Sequence, residues 1–421
     1  MTVHDPGALA APLGASTRLV VGCMSGTSLD GIDAAVVEID GVGMSMRARV
    51  LAGASGPLGP SRDTLARLAR GEAATAAEIA LAARNLALAH VPVVRAALDA
   101  AFVSVPEHAR RAPDLVCVHG QTVFHAPPLS WQVMNPAPLA AALGVGVMSD
   151  LRAMDLALGG QGAPLTPLAD WVLYRARAST APVTCVVNLG GFANMTWWPS
   201  AAGSHADDVG ASLARVQGRD VCACNQVLDA LARARLHVPF DADGSAASQG
   251  FVDDTASRTL LSALRAQGAM RRSLGSGDEC AAIAIDATAT LSPSDACATA
   301  CDALARTIAE AIADAAREAT PATAQGCVAT VILAGGAVRN RALLAALHHH
   351  CGTIARATVL VSNDLGVPIE LREAACFAIL GALAADGVAT SLPRVTRVTE
   401  PAPIAGSWTR APRGPVATIV P

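Results

Sequence analysis

The chain opens each of its halves in the same way, and that repetition restricts the folds available to it. Arg18–Cys23 is an apolar, β-type run that ends in Met24-Ser25-Gly26-Thr27-Ser28-Leu29-Asp30-Gly31, and a second such run, Ile32 to Ile39, follows at once. A strand, a tight Gly/Ser/Thr turn and a strand make a β-hairpin and not a βαβ unit. Val183–Asn188 repeats the layout: it ends in Asn188-Leu189-Gly190-Gly191, and Phe192 to Trp198 returns. Apolar spacings of three to four predict helices over 62–102, over Ala296–Ala319, around Leu343, Leu344 and Leu347, and over Glu370–Ala384. Short strands are predicted at Leu115–His119 and Thr330–Leu333.

A chain of 421 residues is long enough for two domains, each with its own core. The texture changes near Asp150, where Leu151 to Pro167 holds Arg152, Asp155 and Gly159-Gly160-Gln161-Gly162-Ala163-Pro164. The expected division is a tail over 1–17, a first domain over 18–150, a second over 151–398 whose last helices pack on the first, and a Pro- and Gly-rich tail over 399–421.

Every basic side chain other than histidine is arginine; the chain has no lysine. That excludes a Walker-type P-loop, the strand lysine of protein kinases and Schiff-base chemistry. A phosphate grip would be built from backbone N–H groups, hydroxyls, Mg²⁺ and arginine. A net charge of −4 without a basic block argues against nucleic acid as a partner. Hydrophobic residues make up 52 %, much of it alanine, and Pro, Gly or Arg are expected to break each apolar stretch before bilayer length. No membrane association and no signal peptide are expected. Eleven cysteines spread through a core-capable chain read as thiols of a reducing, cytoplasmic compartment.

The turn Gly26 to Gly31 is the strongest local signal. Its glycines let N–H groups converge, the hydroxyls of Thr27 and Ser28 add donors, and Asp30 and Asp33 can hold Mg²⁺ directly or through water. Taken alone it reads equally as an ordinary Gly-rich hairpin. Asn188, Gly190 and Gly191 repeat the arrangement, and two such hairpins facing each other could hold a triphosphate. Gly335 and Gly336, between a strand and a helix with Arg339 and Asn340, suit close approach of a nucleotide or a plain strand-to-helix corner. Asp220 lies on a predicted loop before a helix, placed either as a general base or as an acid at a helix N-terminus. His119, Gln121, Thr122, Arg152 and Asp155 are polar groups at strand ends and suit a hydroxyl-rich ligand, while Arg152 and Asp155 also suit a local ion pair. Cys222 with Cys224, Cys297 with Cys301, and His348 to His350 lack zinc-site spacing.

These segments, together with Asp150-Leu151-Arg152, Phe192-Ala193-Asn194 and Arg372-Glu373-Ala374-Ala375-Cys376-Phe377-Ala378, resemble the anhydro-N-acetylmuramic acid kinase family, which includes levoglucosan kinases. The resemblance runs in order from about residue 20 to residue 396. It implies an actin-like fold of two α/β domains with a cleft between them. It implies ATP and Mg²⁺ as cofactors, a small anhydro sugar as partner, and a role in cell-wall recycling; it leaves a homodimer open. By resemblance Gly26, Thr27, Ser28, Leu29, Asp30, Gly31, Ile32 and Asp33 bind ATP phosphates, and Asn188, Gly190, Gly191, Gly335, Gly336 and Asn340 complete the nucleotide site. Asp220 looks like the catalytic base, and Thr122, Arg152, Asp155 and Glu373 fall on sugar or metal-ordering positions. The chain departs from the family where Val221-Cys222-Ala223-Cys224-Asn225 stands for Thr-Gly-Pro-Gly-Asn, at Ser276, where an arginine is usual, and at Arg397-Val398. Competing readings are a kinase of levoglucosan, a non-catalytic ATP-binding module of the actin/Hsp70 type, and a plain hexokinase-type enzyme acting on a free 6-hydroxyl.

Overall fold

The computed structural model describes residues 17–26, 29–105, 111–177, 181–200, 209–270, 272–319, 328–402 and 405–411. The chain forms two compact units. The first comprises residues up to Leu173 and those from Glu373 onward; the second is Tyr174–Arg372. The junction expected near residue 150 therefore falls inside the first unit. Helix Pro167–Tyr174 belongs there because Asp170 accepts from the Cys376 thiol (Sγ to Oδ1 3.6 Å) on helix Arg372–Ala385, where the chain returns.

The sheet of the first unit holds β1 (Thr17–Ser25), β2 (Ile32–Asp40), β3 (Arg47–Gly56), β4 (Leu115–Ala126), β5 (Leu129–Val133), β6 (Val147–Ser149) and β12 (Ser407–Thr409). The order is β12-β6-β4-β1-β2-β3, with β5 paired to β4. β1, β2 and β3 are antiparallel neighbours, whereas β4 runs parallel to β1 and β6 parallel to β4. The second unit holds β7 (Val183–Leu189), β8 (Phe192–Pro199), β9 (Gln217–Ala223), β10 (Ala329–Ala334) and β11 (Ala357–Val361), in the order β11-β10-β7-β8-β9. Here β7, β8 and β9 are antiparallel neighbours and β7, β10 and β11 are parallel. Each unit thus carries one strand plan, three antiparallel strands followed by two parallel ones on the other side of the first. The fold is α/β and actin-like. The tail expected after residue 399 contributes β12, which pairs antiparallel with β6.

Helix Ala76–Ser104 starts at a capping box, in which Thr75 accepts from Glu78 N and Glu78 accepts from Thr75 N. It runs 29 residues, straight through Pro92, and among the described residues it is long and apolar enough to cross a membrane by length and composition. That corrects the expectation that every apolar stretch is broken. Proline inside a helix costs ~3 kcal/mol, and the packing of Leu86, Ala87, Val93, Val94, Ala97 and Ala101 in the core of the first unit opposes that cost.

The other layer over β1 and β4 is helix Arg372–Ala385. It approaches so closely that a Cβ on Gly22 would lie 1.9 Å from Ala374 O and 2.4 Å from Ala378 N. A Cβ on Gly381 would lie 2.6 Å from Cys117 Cβ. A buried ion pair pins the end of this helix: Arg18 Nη1 and Nη2 donate to the two carboxylate oxygens of Asp386 at 2.6 and 2.9 Å.

Candidate functional site

In the first unit, the strands of the opening hairpin feed a turn in which Leu29 N donates to Gly26 O at 3.1 Å. Leu29 takes φ 57°, a left-handed conformation uncommon for a residue with a side chain. Anion-binding nests are built on a left-handed residue of this kind. Gly31 is required because a Cβ there would meet Gly56 O at 2.8 Å. Thr27 and Ser28 lie outside the described residues. Asp30 is exposed, and Asp33, paired with Met24 and Ser55 across the sheet, accepts from Ser55 Oγ at 2.5 Å. Ile32 is buried and serves the core. Two groups to which sequence reading assigns no role also reach the turn. Arg62 donates from Nε to Leu29 O at 3.3 Å, and Ser25 Oγ is buried with no partner among the described residues. A solitary arginine gives no motif, and Ser25, although it stands in the quoted Met24–Gly31 run, is given no role by it, so only the folded turn reveals what these two do.

Gln121 joins this turn to a second cluster in the same unit. Its Nε2 donates to Gly26 O at 3.0 Å, while its Oε1 is buried without a partner among the described residues. Beside it, Thr122 Oγ1 accepts from Gln132 Nε2 at 3.3 Å. His119 is 6 % exposed, packed with a tilted ring against Phe377 at 4.8 Å and in contact with Arg152 (Nε2 to Nη2 2.9 Å). Arg152 also donates from Nη1 to Gly162 O at 2.5 Å. Burial, reinforced by the neighbouring guanidinium, pushes both His119 and His125 down to about 3. Glu373 lies one helical turn before Phe377 and so on the same face of its helix, half-buried and bonded within the protein. Burial raises the Asp150 carboxyl above its ordinary range.

Asp155 is spent inside the protein. It is 3 % exposed, and its carboxylate accepts from Gly162 N at 2.6 Å and Thr396 Oγ1 at 2.7 Å. A Cβ on Gly160 would lie 2.2 Å from Asp155 Oδ2. Its carboxylate therefore shapes the 159–162 loop that holds Arg152, an occupation that the sequence reading of a ligand contact does not anticipate.

In the second unit, Asn188, Asn194 and Asp220 form one rung across β7, β8 and β9, and so share a face of the sheet. A bulge makes this possible. Ala193 pairs with Cys222 but Asn194 pairs with Asp220, so Val221 is an extra residue. Val221 and Cys222 both face the helix-packed core with Ala193, Met195 and Trp197. Without the extra residue Asp220 would pair with Met195 and point into that core. Asp220 thus lies on a bulged strand and not on the loop expected from sequence. Leu274 N donates to its Oδ2 at 2.8 Å. The loop that supplies Leu274 is braced by Arg272, which donates to both oxygens of Asp278 at 2.7 Å. That partnership holds the Asp278 carboxyl below its usual range.

The turn above the rung is equally constrained. A Cβ on Gly190 would sit 3.3 Å from Asn188 Nδ2, and Asn188 Oδ1 is buried with no partner among the described residues. The carbonyls of Gly190 and Gly191 accept from Asn225 N at 3.0 Å and Cys224 N at 2.9 Å. Gly335, at φ 92°, presses on the same hairpin: a Cβ there would lie 2.7 Å from Leu189 O. Gly336 is exposed to open space. Asn340 is buried, and its Oδ1 caps helix Arg341–Thr353 by accepting from Leu343 N at 3.0 Å, again an occupation that sequence reading does not anticipate. Asn194 lies within a quoted motif, yet only the strand register shows that it adjoins Asp220.

The cysteines that replace the family's glycines at 222 and 224 are fully buried in the core of this unit, and Cys224 adopts φ −126°, where no glycine is required. Burial pushes their thiols up, Cys224 to about 12. The ten cysteines described are all free thiols. Among the described residues no three His, Cys, Asp or Glu side chains cluster as a metal site. The carboxylates of Asp30 and Asp33 fit the donor set of Mg²⁺, which commonly takes one or two carboxylates and completes its shell with phosphate and water. Within the first unit the buried, unpartnered oxygens of Ser25 and Gln121 lie beside the Gly26 turn, and within the second that of Asn188 lies at the foot of the Gly190–Gly191 turn; each suits a polar group brought from outside.

The family model described as "Anhydro-N-acetylmuramic acid kinase" matches residues 18–409. A Salinibacter ruber protein of that name is 35 % identical over 408 residues, covering 92 % of this chain and 96 % of that protein. One from Acidiphilium cryptum is 36 % identical over 414 residues, covering 94 % and 99 %. A solved ROK family glucokinase from Streptomyces griseus, in complex with glucose and AMPPNP, is 15 % identical at a TM-score of 0.36, covering 86 % of this chain and 98 % of that one. Likeness of that degree adds nothing to the strand order. The sequence matches extend across both units, from the first strand of one hairpin to the last strand of the sheet: the chain belongs to the anhydro-N-acetylmuramic acid kinase family and is a phosphotransferase.

Proposed function

We propose that this protein is an ATP-dependent kinase of 1,6-anhydro-N-acetylmuramic acid that opens the anhydro bridge with water and phosphorylates O6, giving N-acetylmuramic acid 6-phosphate and ADP. The bridge occupies O6, so no free 6-hydroxyl exists until it breaks. Asp220 takes a proton from water as that water attacks the anomeric carbon. The C1–O6 bond breaks, and the released O6 attacks the γ-phosphorus in line, with ADP leaving. Phosphoryl transfer of this kind depends on positioning and charge stabilisation. The N–H groups of the Gly26–Gly31 and Gly190–Gly191 turns and Arg62 serve the phosphates, and Asp30 and Asp33 would hold Mg²⁺, which would supply counter-charge. Thr122, Arg152 and Glu373 serve the sugar.

The observation that carries this reading is the bulge at Val221, which turns a carboxylate out of the core and onto one rung with Asn188, directly below the Gly190–Gly191 turn. The test is mass spectrometry of product formed in ¹⁸O water, sampled early enough to limit exchange at C1. Label on the anomeric oxygen with unlabelled phosphate on O6 is expected. An unlabelled anomeric oxygen in early product rules out the hydrolytic step. Levoglucosan run in parallel identifies the acceptor; faster turnover with it reassigns the substrate, and turnover only of sugars with a free 6-hydroxyl removes the anhydro-sugar reading.

A further inference from the structure

We infer that His119 is a positioning residue for Arg152: a neutral imidazole, protonated on Nδ1, that holds one arm of the guanidinium in a fixed orientation toward the sugar. The inference rests on the reading of Arg152 as a sugar contact.

The tautomer follows from the partners. A guanidinium has only donors, so at 2.9 Å from Arg152 Nη2 the His119 Nε2 must be the acceptor. The ring proton then sits on Nδ1, and the atom facing Nδ1 at 2.9 Å is the Gly120 carbonyl oxygen, which can only accept. Both ring nitrogens are satisfied in this one state. A doubly protonated ring would set an N–H against an N–H and a cation against a cation. The burial that depresses His119 to about 3 keeps the ring in the neutral state throughout the working range, and His125, the second imidazole beside Arg152, is depressed alike.

The ring itself has little freedom. It is 6 % exposed, and Phe377 packs on it at 4.8 Å with its plane tilted by 51°. Phe377 projects from the same helical face as Glu373. Gly162 O takes the other arm of Arg152, and Asp155 fixes Gly162 through its N–H. The guanidinium is therefore gripped at both Nη atoms by acceptors that are themselves immobilised. An acceptor without charge suits this role, because it orients the arginine without neutralising it.

A double-mutant cycle tests the inference. Steady-state kinetics for anhydro sugar and for ATP would be measured on H119F, H119N, H119Q, R152A and H119F/R152A, with thermal melts of each. A hydrogen bond to a charged group contributes enough that H119F should lower kcat/KM for the sugar about ten- to hundredfold, while KM for ATP stays within about twofold. H119N keeps a donor near Gly120 O but falls short of Arg152, so it should show the same loss. H119Q carries an oxygen at the reach of Nε2 and should recover most of the activity. In the R152A background, H119F should cost less than about threefold further, since the residue acts through the missing group. A full additional loss in that background, or a loss in H119Q equal to that in H119N, overturns the inference while leaving Arg152 as a sugar contact. Unchanged sugar kinetics in R152A would remove that contact and the inference with it.

Discussion

At the residue scale, what matters is which oxygens and N–H groups are already spent. Asp220 has one oxygen held by Leu274 N, which fixes the carboxylate without burying it completely. A positioned base contributes ~10²–10⁴-fold, so Asp220→Asn is expected to lower kcat by that order with ATP affinity unchanged, as read by product formation and by nucleotide titration. Activity within tenfold of wild type would remove Asp220 as base. Asp155 predicts a different phenotype. Asp155→Ala leaves Gly162 N without its acceptor and Thr396 Oγ1 with only the long contact to Leu392 O at 3.5 Å, at about 1–3 kcal/mol for a buried group so deprived. A lowered melting temperature and a raised KM for sugar are expected together. A raised KM at unchanged stability would instead mean that Asp155 touches the ligand. The sequence offers the same letter at both positions; burial and partners separate them.

At the element scale, the two hairpins were legible in the sequence because alternating apolar runs and Gly-rich turns are local signals. The bulge was not. Whether Asp220 faces the core or the opposite side is decided by one extra residue in register against β8, and register depends on a partner strand some twenty residues away. The helix Ala76–Ser104 was legible as a helix, but its length was not: the spacing gives one helix over 62–102, whereas the chain forms Arg62–Ala69 and then runs unbroken through Pro92 to Ser104 because the packing of that helix keeps it continuous. Gly22 was equally silent, since an apolar strand tolerates an isolated glycine without explaining it. Its reason is helix Arg372–Ala385, encoded about 350 residues later. Gly22→Ala would drive a methyl group into two backbone atoms of that helix, and overpacking of this kind costs about 1–3 kcal/mol, occasionally more. The expected result is a lowered urea midpoint with part of the activity retained. An unchanged midpoint would show that the helix can move away from β1 at little cost.

At the scale of the whole molecule, the first unit carries three buried histidines, His90, His119 and His125, depressed from 6.5 to about 4, about 3 and about 3. Above pH 6.5 they are neutral in the folded and unfolded chain alike, and they leave stability unaffected. As pH falls below 6.5 the unfolded chain takes up protons that the folded chain refuses. Stability then declines until each folded value is reached, by about 1.4 kcal/mol per pH unit for each histidine. Urea unfolding at pH 7 and pH 5 should show a clear drop, and His90→Phe should shallow the slope by removing one of the three protons. Equal midpoints at the two pH values would contradict this account.

The discontinuous first unit also sets an order of events at the ribosome. Six of the seven strands of its sheet are translated early, yet β12, the helix that covers β1 and β4, and the Asp386 that neutralises buried Arg18 are among the last parts of the chain to emerge. The second unit is contiguous and has all its strands before the first can close. For most of its synthesis, then, the nascent polypeptide carries an open apolar sheet face and an unneutralised arginine. Premature termination before residue 373 would strand it in that condition, a natural substrate for chaperones and proteases.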